Sequence, residues 1–171
     1  FSERKTAKVV VVITNKAQAG VLNRADKLGI PTEFIPAQDF TEGRALEVLH
    51  RYQTDFIALA GFLLRVPDDI LHDYPNKIVN IHPALLPKFG GKGMYGSRVH
   101  QAVIASHEKE SGITIHYINE RYDEGNTIFQ ATCPVLPTDT PDTLAIRVHQ
   151  LEYEYFPRVI EATILGKNLS I

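Results

Sequence analysis

Cysteine, net charge and long apolar runs are all scarce in this chain, and each shortage excludes a class of protein. The 171 residues include one cysteine, Cys133, so an intrachain disulfide and a metal site built from several cysteines are excluded. The formal net charge of −2 gives no support for binding nucleic acid or a membrane surface. No apolar run approaches the roughly 20 residues that span a bilayer. A reduced cytoplasm fits this composition best, and we expect a cytoplasmic protein.

The first residues lack two further features. Phe1 to Lys5 do not form a signal peptide, and the chain does not begin with Met. We therefore expect the chain to begin inside a larger protein. Its length is enough for one domain with a sizeable core, and no repeat or low-complexity segment interrupts it. The sequence predicts a single domain over 1–171.

The first half of the chain alternates β-branched apolar runs with segments of helical spacing. Such runs are typical of strands buried on both faces in a parallel sheet. The β, α, β, α order predicts an α/β fold with a Rossmann-like, open, mostly parallel sheet and helices on both faces. The predicted strands are 8–14, 31–36, 55–60 and 77–81, and the predicted helices are 17–28, from Thr41 onward, and 67–73.

The second half predicts an antiparallel C-terminal portion. Two strands are separated by a turn-like segment, and the final long helix contains Pro157, which kinks it or splits it in two. The predicted strands are 111–118 and 127–136, and the predicted helices are 97–107 and 139–165.

Asn80 and His82 stand at the end of an apolar strand. They are two positions apart, so they share a face, and Pro83 favours a strand end. In open α/β sheets, ligands bind at the carboxyl ends of the strands. One interpretation is a polar strand end satisfied by the proline-rich turn. The other is an amide N–H and an imidazolium N–H that both donate to an oxygen becoming negative in acyl transfer. Spacing alone leaves both open.

Two other polar residues, Asp123 and His116, become candidates for the same site only if the fold brings them close to His82. Asp123 precedes Gly125 in a turn-like segment, where an Asp is most often a turn residue. Beside His82 its carboxylate would raise the imidazole pKa and orient the ring or a water. His116, on the preceding strand, is either a packed core histidine or a supporting member of the site.

The remaining candidates point to simpler roles. Residues 88–96 contain four glycines, but they do not follow the phosphate-binding pattern G-x-x-x-x-G-K-[ST]. A mobile lid is the better interpretation of this loop. Cys133 lies in an apolar strand and is interpreted as core. No His and carboxylate cluster has a spacing that compels a metal.

Four segments, in this order along nearly the whole chain, resemble the folate-dependent formyltransferases. The resemblance is greatest to the members that formylate glycinamide ribonucleotide. The segments are Asn80-Ile81-His82-Pro83-Ala84-Leu85-Leu86-Pro87-Lys88, Leu59-Ala60-Gly61-Phe62-Leu63-Leu64-Arg65-Val66, Gly112 to Ile118 running on to Asp123-Glu124-Gly125, and Arg147-Val148-His149 through Glu152 to Phe156-Pro157.

The resemblance implies transfer of a formyl group from 10-formyltetrahydrofolate, as co-substrate, to the amine of glycinamide ribonucleotide. Asn80, His82 and Asp123 match the family's catalytic Asn, His and Asp. Asn80 would hold the formyl oxygen. His82 would stabilise the oxyanion and help to pass a proton to the departing folate nitrogen. Asp123 would tune His82 and order a water.

The family also implies the ligand-binding residues and the partners. The partners are small molecules, with no metal, nucleic acid or membrane, in a monomer or homodimer. A cis peptide is implied at Leu86-Pro87. The folate-binding residues would be Leu64, Arg65, Val66, Ile118 and Tyr122, and the substrate-binding residues would be Leu63, Pro83 and Glu152.

This chain departs from the family pattern in two places. The family begins with a strand and a loop that binds the substrate phosphate, and we expect this first βα unit to be missing here. The 89–98 loop is longer and richer in glycine than in familiar members. Two alternatives stay open: a formyltetrahydrofolate deformylase, which usually carries a second His where this chain has Pro83, and a non-catalytic folate-binding module.

Overall fold

A computed structural model describes residues 6–167. Contacts between Cα atoms group this part of the chain into two compact units. The first contains the residues up to Phe56 together with Leu64–Pro75, and the second contains Ile57–Leu63 and the residues from Asn76 onward. The single domain predicted over 1–171 stays a prediction.

Helices and strands alternate through the first half of the described chain, and a strand pair and a long helix occupy the end. The elements are β1 (Val12–Thr14), α1 (Gly20–Lys27), β2 (Thr32–Phe34), α2 (Ala37–Thr41), α3 (Arg44–Arg51), β3 (Ile57–Leu59), α4 (Asp68–Asp73), β4 (Ile78–His82), α5 (Ser97–Ala105), β5 (Glu110–Tyr117), β6 (Thr127–Pro134) and α6 (Pro141–Ile164).

The first unit contains a two-stranded parallel sheet, β1 with β2. The prediction of a strand over 8–14, buried on both faces, is wrong in length and in burial. The strand covers Val12–Thr14 and is half-buried, and Val9 is exposed. Pairing limits its length, because β2 lies between Pro31 and Pro36, which have no N–H to extend the ladder.

Helix α3 begins later than the sequence predicts. The predicted start at Thr41 is wrong, because Thr41 ends the short helix α2 and α3 begins at Arg44. Gly43 lies between them with φ of 85°, a left-handed conformation that a continuous right-handed helix does not contain. Gly29, with φ of 62°, follows α1, which ends at Lys27, within one residue of the predicted end at residue 28.

The second unit contains a four-stranded sheet in the order β3-β4-β5-β6. Strands β3 and β4 are parallel, whereas β4 with β5 and β5 with β6 are antiparallel. The predicted α/β fold, with parallel strands, helices and an antiparallel C-terminal portion, is confirmed. Across the described residues the strands form two hydrogen-bonded sheets, one in each unit, instead of the single sheet expected.

Strands β4 and β5 divide their side chains between a core face and a polar face. Register pairs Ile81 with Ile115, and both lie in the apolar core that α5 and α6 cover. The polar face carries the alternate residues, so alternation along two apolar strands separates the core from the site. The buried core residues are Ile81, Val103, Ile113, Ile115, Cys133, Leu144, Val148 and Val159.

Helix α6 is the longest element and begins at the predicted place. Thr140 caps it: its hydroxyl accepts from Thr143 N–H while the Thr143 hydroxyl accepts from Thr140 N–H. The helix continues past Pro157, so the predicted split into two helices is wrong. Within residues 6–167, no helix combines the length and the apolarity needed to cross a membrane.

Candidate active site

The polar face of β4 brings the two predicted catalytic residues of the strand together with two residues of β5. Asn80 lies opposite His116, and His82 lies opposite Thr114. His82, Thr114 and His116 are buried, with exposed fractions of 4% or less. Buried polar groups are stable only when they are hydrogen-bonded, so the partners of these side chains determine what they can do.

His82 is held by the loop that follows its strand. Its Nε2 lies 2.8 Å from the carbonyl oxygen of Phe89, which can only accept, so Nε2 carries a proton and donates. Its Nδ1 lies 3.6 Å from Oδ2 of Asp123. Burial lowers the pKa of His82 and outweighs the opposing effects of the Asp123 carboxylate and the Phe89 carbonyl. The Nε2–H of His82 is therefore used by the Phe89 carbonyl, and Nδ1 is the ring nitrogen that faces Asp123.

Asp123 reaches the site from the β5–β6 turn, as the functional interpretation required. Its Oδ2 accepts from Gly91 N–H at 2.8 Å, and its Oδ1 lies 3.6 Å from Nε2 of His116. Burial favours the neutral carboxyl, but His116, His82 and Gly91 N–H together hold the pKa of Asp123 below its ordinary value. An ionised carboxylate therefore faces both imidazole rings.

Two glycines allow the Asp123 turn to approach. A Cβ at Gly125 would overlap the carbonyl of Tyr117, and a Cβ at Gly90 would overlap the Leu86 side chain and lie 3.2 Å from Asp123 Cβ. Asp123 itself has φ of 57°, a left-handed conformation that Asp tolerates better than most residues. Close backbone packing therefore determines where the carboxylate lies.

The turn after His82 is fixed by a hydrogen-bonded hub on β5. The Thr114 hydroxyl accepts from Leu86 N–H and from Gln130 Nε2, and it donates to the Ala84 carbonyl. Gln130 also donates to the Leu86 carbonyl. The Leu86-Pro87 peptide is cis, as the family resemblance implied.

A cavity of about 800 Å³ opens beside these residues, within the second unit. This is the size of a small-molecule site. It contains the three predicted catalytic residues, and the predicted ligand-binding residues Leu63, Pro83, Tyr122 and Glu152 also line it. The rest of the wall includes Gly91 to Gly96 of the glycine-rich loop and the first residues of α5, so this loop adjoins the site as the lid hypothesis requires.

The remaining predicted folate-binding residues are not among those that line this cavity. Leu64, Arg65 and Val66 belong to the first compact unit, where Arg65 pairs with Asp68 and Val66 is buried. Ile118 follows β5 and donates its N–H to the Ile78 carbonyl, outside the cavity wall. Contact of these four residues with folate stays a prediction.

Sequence reasoning missed His100, a buried histidine of α5 that lines the cavity. It is 2% exposed, and its Nδ1 has no hydrogen-bond partner among the described residues. Burial, then His149 and His82, lower its pKa. It precedes Val103 by three positions on the inner face of α5, so helical spacing could have found it. The Phe89 carbonyl and Gly91 N–H are backbone groups, which no residue pattern reveals.

The arrangement suits acyl transfer chemistry. The Asn80 amide, the His82 imidazole and the Asp123 carboxylate converge beside a cavity. Within residues 6–167, no group of three or more His, Cys, Asp or Glu side chains is placed to hold a metal ion.

Comparisons with known proteins agree with this chemistry. The formyl transferase family model matches residues 2–160. A chloroplastic phosphoribosylglycinamide formyltransferase of Arabidopsis thaliana is 41% identical over 160 residues, covering 90% of this chain and 55% of that protein. The phosphoribosylglycinamide formyltransferase of Bacillus subtilis is 34% identical over 171 residues, covering 97% of this chain and 85% of that protein.

Solved structures give the same result. The crystal structure of phosphoribosylglycinamide formyltransferase from Anaplasma phagocytophilum has a TM-score of 0.88 and 31% identity, covering 96% of this chain and 78% of that chain. The chain spans about half the length of its plant relatives, 55% and 51%. By sequence match, fold and site geometry, this chain belongs to the formyl transferase family, among the phosphoribosylglycinamide formyltransferases.

Proposed function

We propose that this protein transfers the formyl group of 10-formyltetrahydrofolate to the amine of glycinamide ribonucleotide, a step of purine biosynthesis. The products are formylglycinamide ribonucleotide and tetrahydrofolate. The observation that carries the proposal is the approach of His82 Nδ1 to Asp123 Oδ2 at 3.6 Å, with Asn80 beside them on the same sheet face. The names of the relatives support formyl transfer to glycinamide ribonucleotide.

In the proposed first step, the amine of glycinamide ribonucleotide attacks the formyl carbon of the donor. A C–N bond forms, and the C=O electron pair moves to the formyl oxygen. The Asn80 side-chain N–H donates to that oxygen, in the manner of an oxyanion hole. His82 Nδ1 takes the proton that the amine loses, directly or through a water ordered by Asp123.

In the second step, the tetrahedral intermediate collapses. The oxygen lone pair re-forms the C=O bond, and the bond from the formyl carbon to the folate nitrogen N10 breaks. The His82 imidazolium returns its proton to N10, so atoms and charge balance. The Asp123 carboxylate stabilises the imidazolium between the two steps, because an opposite charge lies 3.6 Å away.

The ligand-binding residues are part of the same proposal. Folate contacts Leu64, Arg65, Val66, Ile118 and Tyr122, and glycinamide ribonucleotide packs against Leu63, Pro83 and Glu152. The cavity wall supports the positions of Tyr122, Leu63, Pro83 and Glu152. Burial raises the pKa of Glu152, opposed by His149.

An assay with both substrates tests the proposed function. The full-length protein is incubated with 10-formyltetrahydrofolate and glycinamide ribonucleotide, and both products are measured. We expect stoichiometric formylglycinamide ribonucleotide and tetrahydrofolate. Rapid loss of the donor formyl group without formylated nucleotide would instead identify a deformylase, and binding of folate without turnover would identify a non-catalytic module.

Two observations make the alternatives weaker. Pro83 stands where a deformylase usually carries a second His, and the two relatives described above, which match 90% and 97% of this chain, are named as transferases. The catalytic side chains of the second unit converge within hydrogen-bonding or ion-pair distance, which a module that only binds folate does not need.

We also propose a cytoplasmic location and small-molecule partners only, in a monomer or homodimer. The single cysteine and the small net charge support these statements. The name of the Arabidopsis relative includes the word chloroplastic, so a plastid location is the competing outcome. A fluorescent fusion of the full-length protein distinguishes the two locations.

A further inference from the structure

His116 makes two side-chain hydrogen bonds that together fix its tautomer. It is fully buried on β5. Its Nδ1 lies 2.9 Å from the carbonyl oxygen of Tyr117. A carbonyl oxygen only accepts, so Nδ1 carries the proton of this ring. In the neutral ring, Nε2 is then a lone-pair acceptor.

This tautomer determines the orientation of Asn80. Nδ2 of Asn80 lies 3.2 Å from Nε2 of His116, across the β4–β5 register. An acceptor at Nε2 requires the amide nitrogen, not the amide oxygen, to face the ring. One N–H of Asn80 is used in this bond, and the second N–H remains free to donate elsewhere.

We propose that His116 is a positioning residue that sets the amide orientation of Asn80, so that Asn80 presents an N–H to the formyl oxygen. Without this acceptor, the amide can rotate by half a turn and present its oxygen. An oxygen there would repel the developing oxyanion, whereas an N–H stabilises it. This inference rests on the proposed function, because it assigns Asn80 the part of oxyanion donor.

Asp123 provides the competing role for His116. Its Oδ1 lies 3.6 Å from the same Nε2, which is longer than a hydrogen bond. A proton on Nε2 would let His116 donate to Asp123, and Asn80 would then have to turn its oxygen toward the ring. His116 would in that case act through the carboxylate and not through the amide.

A double-mutant cycle separates these roles. His116→Leu removes the acceptor at nearly constant volume, and we expect kcat to fall by up to about 10²–10³-fold with little change in KM. In the Asn80→Ala background, the same substitution should lower kcat by less than about threefold. His116→Gln should restore much of the rate, since its amide can both accept from Asn80 and donate to the Tyr117 carbonyl. Equal losses in both backgrounds, or coupling to Asp123→Asn instead of Asn80→Ala, would overturn the proposal.

A measurement on the unmutated protein keeps the test independent of folding and of turnover. In the ¹⁵N-labelled full-length protein, we expect a scalar coupling across the N–H···N bond between Asn80 Nδ2 and His116 Nε2. A protonated Nε2 with no such coupling contradicts the proposal. If the coupling is present but the protein forms no formylated nucleotide, the proposed function fails and the orientation of Asn80 stands.

Discussion

At the scale of single residues, the proposed chemistry depends on which ring nitrogen carries the proton in His82 and in His116. The Phe89 carbonyl fixes the proton of His82 on Nε2, and the Tyr117 carbonyl fixes the proton of His116 on Nδ1. Two backbone oxygens therefore fix one donor nitrogen on each ring, and the other nitrogen of each ring lies 3.6 Å from a carboxylate oxygen of Asp123. Against the effect of burial, His116, His82 and Gly91 N–H hold the pKa of that carboxyl below its ordinary value.

Removing the His82 ring should remove proton transfer but leave folate binding. We expect His82→Ala to lower kcat by about 10²–10⁴-fold, the usual contribution of a general acid–base group. Single-turnover kinetics and a folate-binding titration make the measurement. His72→Ala, on the first unit and outside the cavity wall, is the matched control and should keep full activity. Turnover of His82→Ala at the control rate would remove His82 from the mechanism.

Asp123→Asn should change the pH dependence of the rate as well as its size. His82 must be neutral to accept a proton, so activity is lost as the pH falls through the pKa of His82. Burial already holds that pKa below its ordinary value of 6.5, and the Asp123 carboxylate opposes the lowering. Removing the negative charge lowers the pKa further, so we expect the acid limb of kcat/KM to move to lower pH.

The measurement is a pH–rate profile of both proteins. Asn also tolerates the left-handed conformation at position 123, so the turn should keep its shape. An acid limb that moves to higher pH, or does not move, contradicts the assignment.

Among single residues, strand alternation predicted that Asn80 and His82 share a face, and the family pattern pointed to Asp123. Their placement at one cavity is observed, whereas their catalytic roles stay predictions. The same alternation places Thr114 and His116 on the site face of β5. Backbone partners could not be predicted. The Phe89 carbonyl and Gly91 N–H act through chain geometry, and that geometry appears only when the loop is folded.

At the scale of elements, the β5–β6 turn is positioned by a close backbone contact, and the start of α6 is positioned by side-chain hydrogen bonds. The turn carries Asp123 and closes against Tyr117 at Gly125. Asp139 connects the start of α6 to the loop after β6. Its carboxylate accepts from Nη1 and Nη2 of Arg147, from Leu136 N–H and from the Thr143 hydroxyl.

Gly125→Ala should move the turn and displace Asp123. The new Cβ would overlap the Tyr117 carbonyl, so the backbone of the turn must shift. We expect a loss of kcat close to that of Asp123→Asn with only a modest loss of stability, measured by steady-state kinetics and urea unfolding. Gly20→Ala is the matched control, because nothing lies within 4 Å of its Cβ. Equal activity of the two variants would show that the turn adapts without moving Asp123.

Asp139 should make stability depend on pH. Arg147 first, then Leu136 N–H, hold its pKa far below the ordinary value. A lowered folded pKa contributes stability above the unfolded pKa of about 3.9, and this stability is lost as the pH falls through the folded pKa. We therefore expect Asp139→Asn to lower the free energy of unfolding at pH 7, with a difference that shrinks in acid. Urea unfolding of both proteins across this range makes the test, and a difference that grows in acid contradicts it.

The sequence predicted the existence of most elements but several of their ends incorrectly. Strong patterns, such as the capped start of α6 and the glycine after α1, were read directly from residue type. The ends of β1 depend on the three-residue partner β2, and the start of α3 depends on the backbone angle at Gly43. Both are tertiary properties that local periodicity does not contain.

At the scale of the whole molecule, the apolar core of the second unit packs against the face of β4 and β5 that lies opposite the site. The strands that carry Asn80, His82 and His116 present their other faces to the α5 and α6 side chains. Leu144 is fully buried in that core. We expect Leu144→Ala to lower the free energy of unfolding by about 2–5 kcal/mol, the usual cost of such a cavity. Chemical denaturation measures it, with the exposed Ile146→Ala as a control that should cost under about 0.5 kcal/mol.

Composition and element order also predicted the fold class, because an α/β alternation followed by a strand pair allows few topologies. The division into two compact units was not predicted, since Leu64–Pro75 joins residues before Phe56 through contacts far apart in sequence.

The loop of residues 88–96 contacts Asp123 and His82 through two backbone groups: Gly91 N–H donates to Asp123, and the Phe89 carbonyl accepts from His82. The first contact favours the ionised carboxylate, and the second favours the protonated ring. Losing both contacts raises the proton affinity of Asp123 and lowers that of His82. A ligand that binds only while both contacts are made will therefore bind in a pH-dependent way. The cause is two peptide groups that do not themselves titrate.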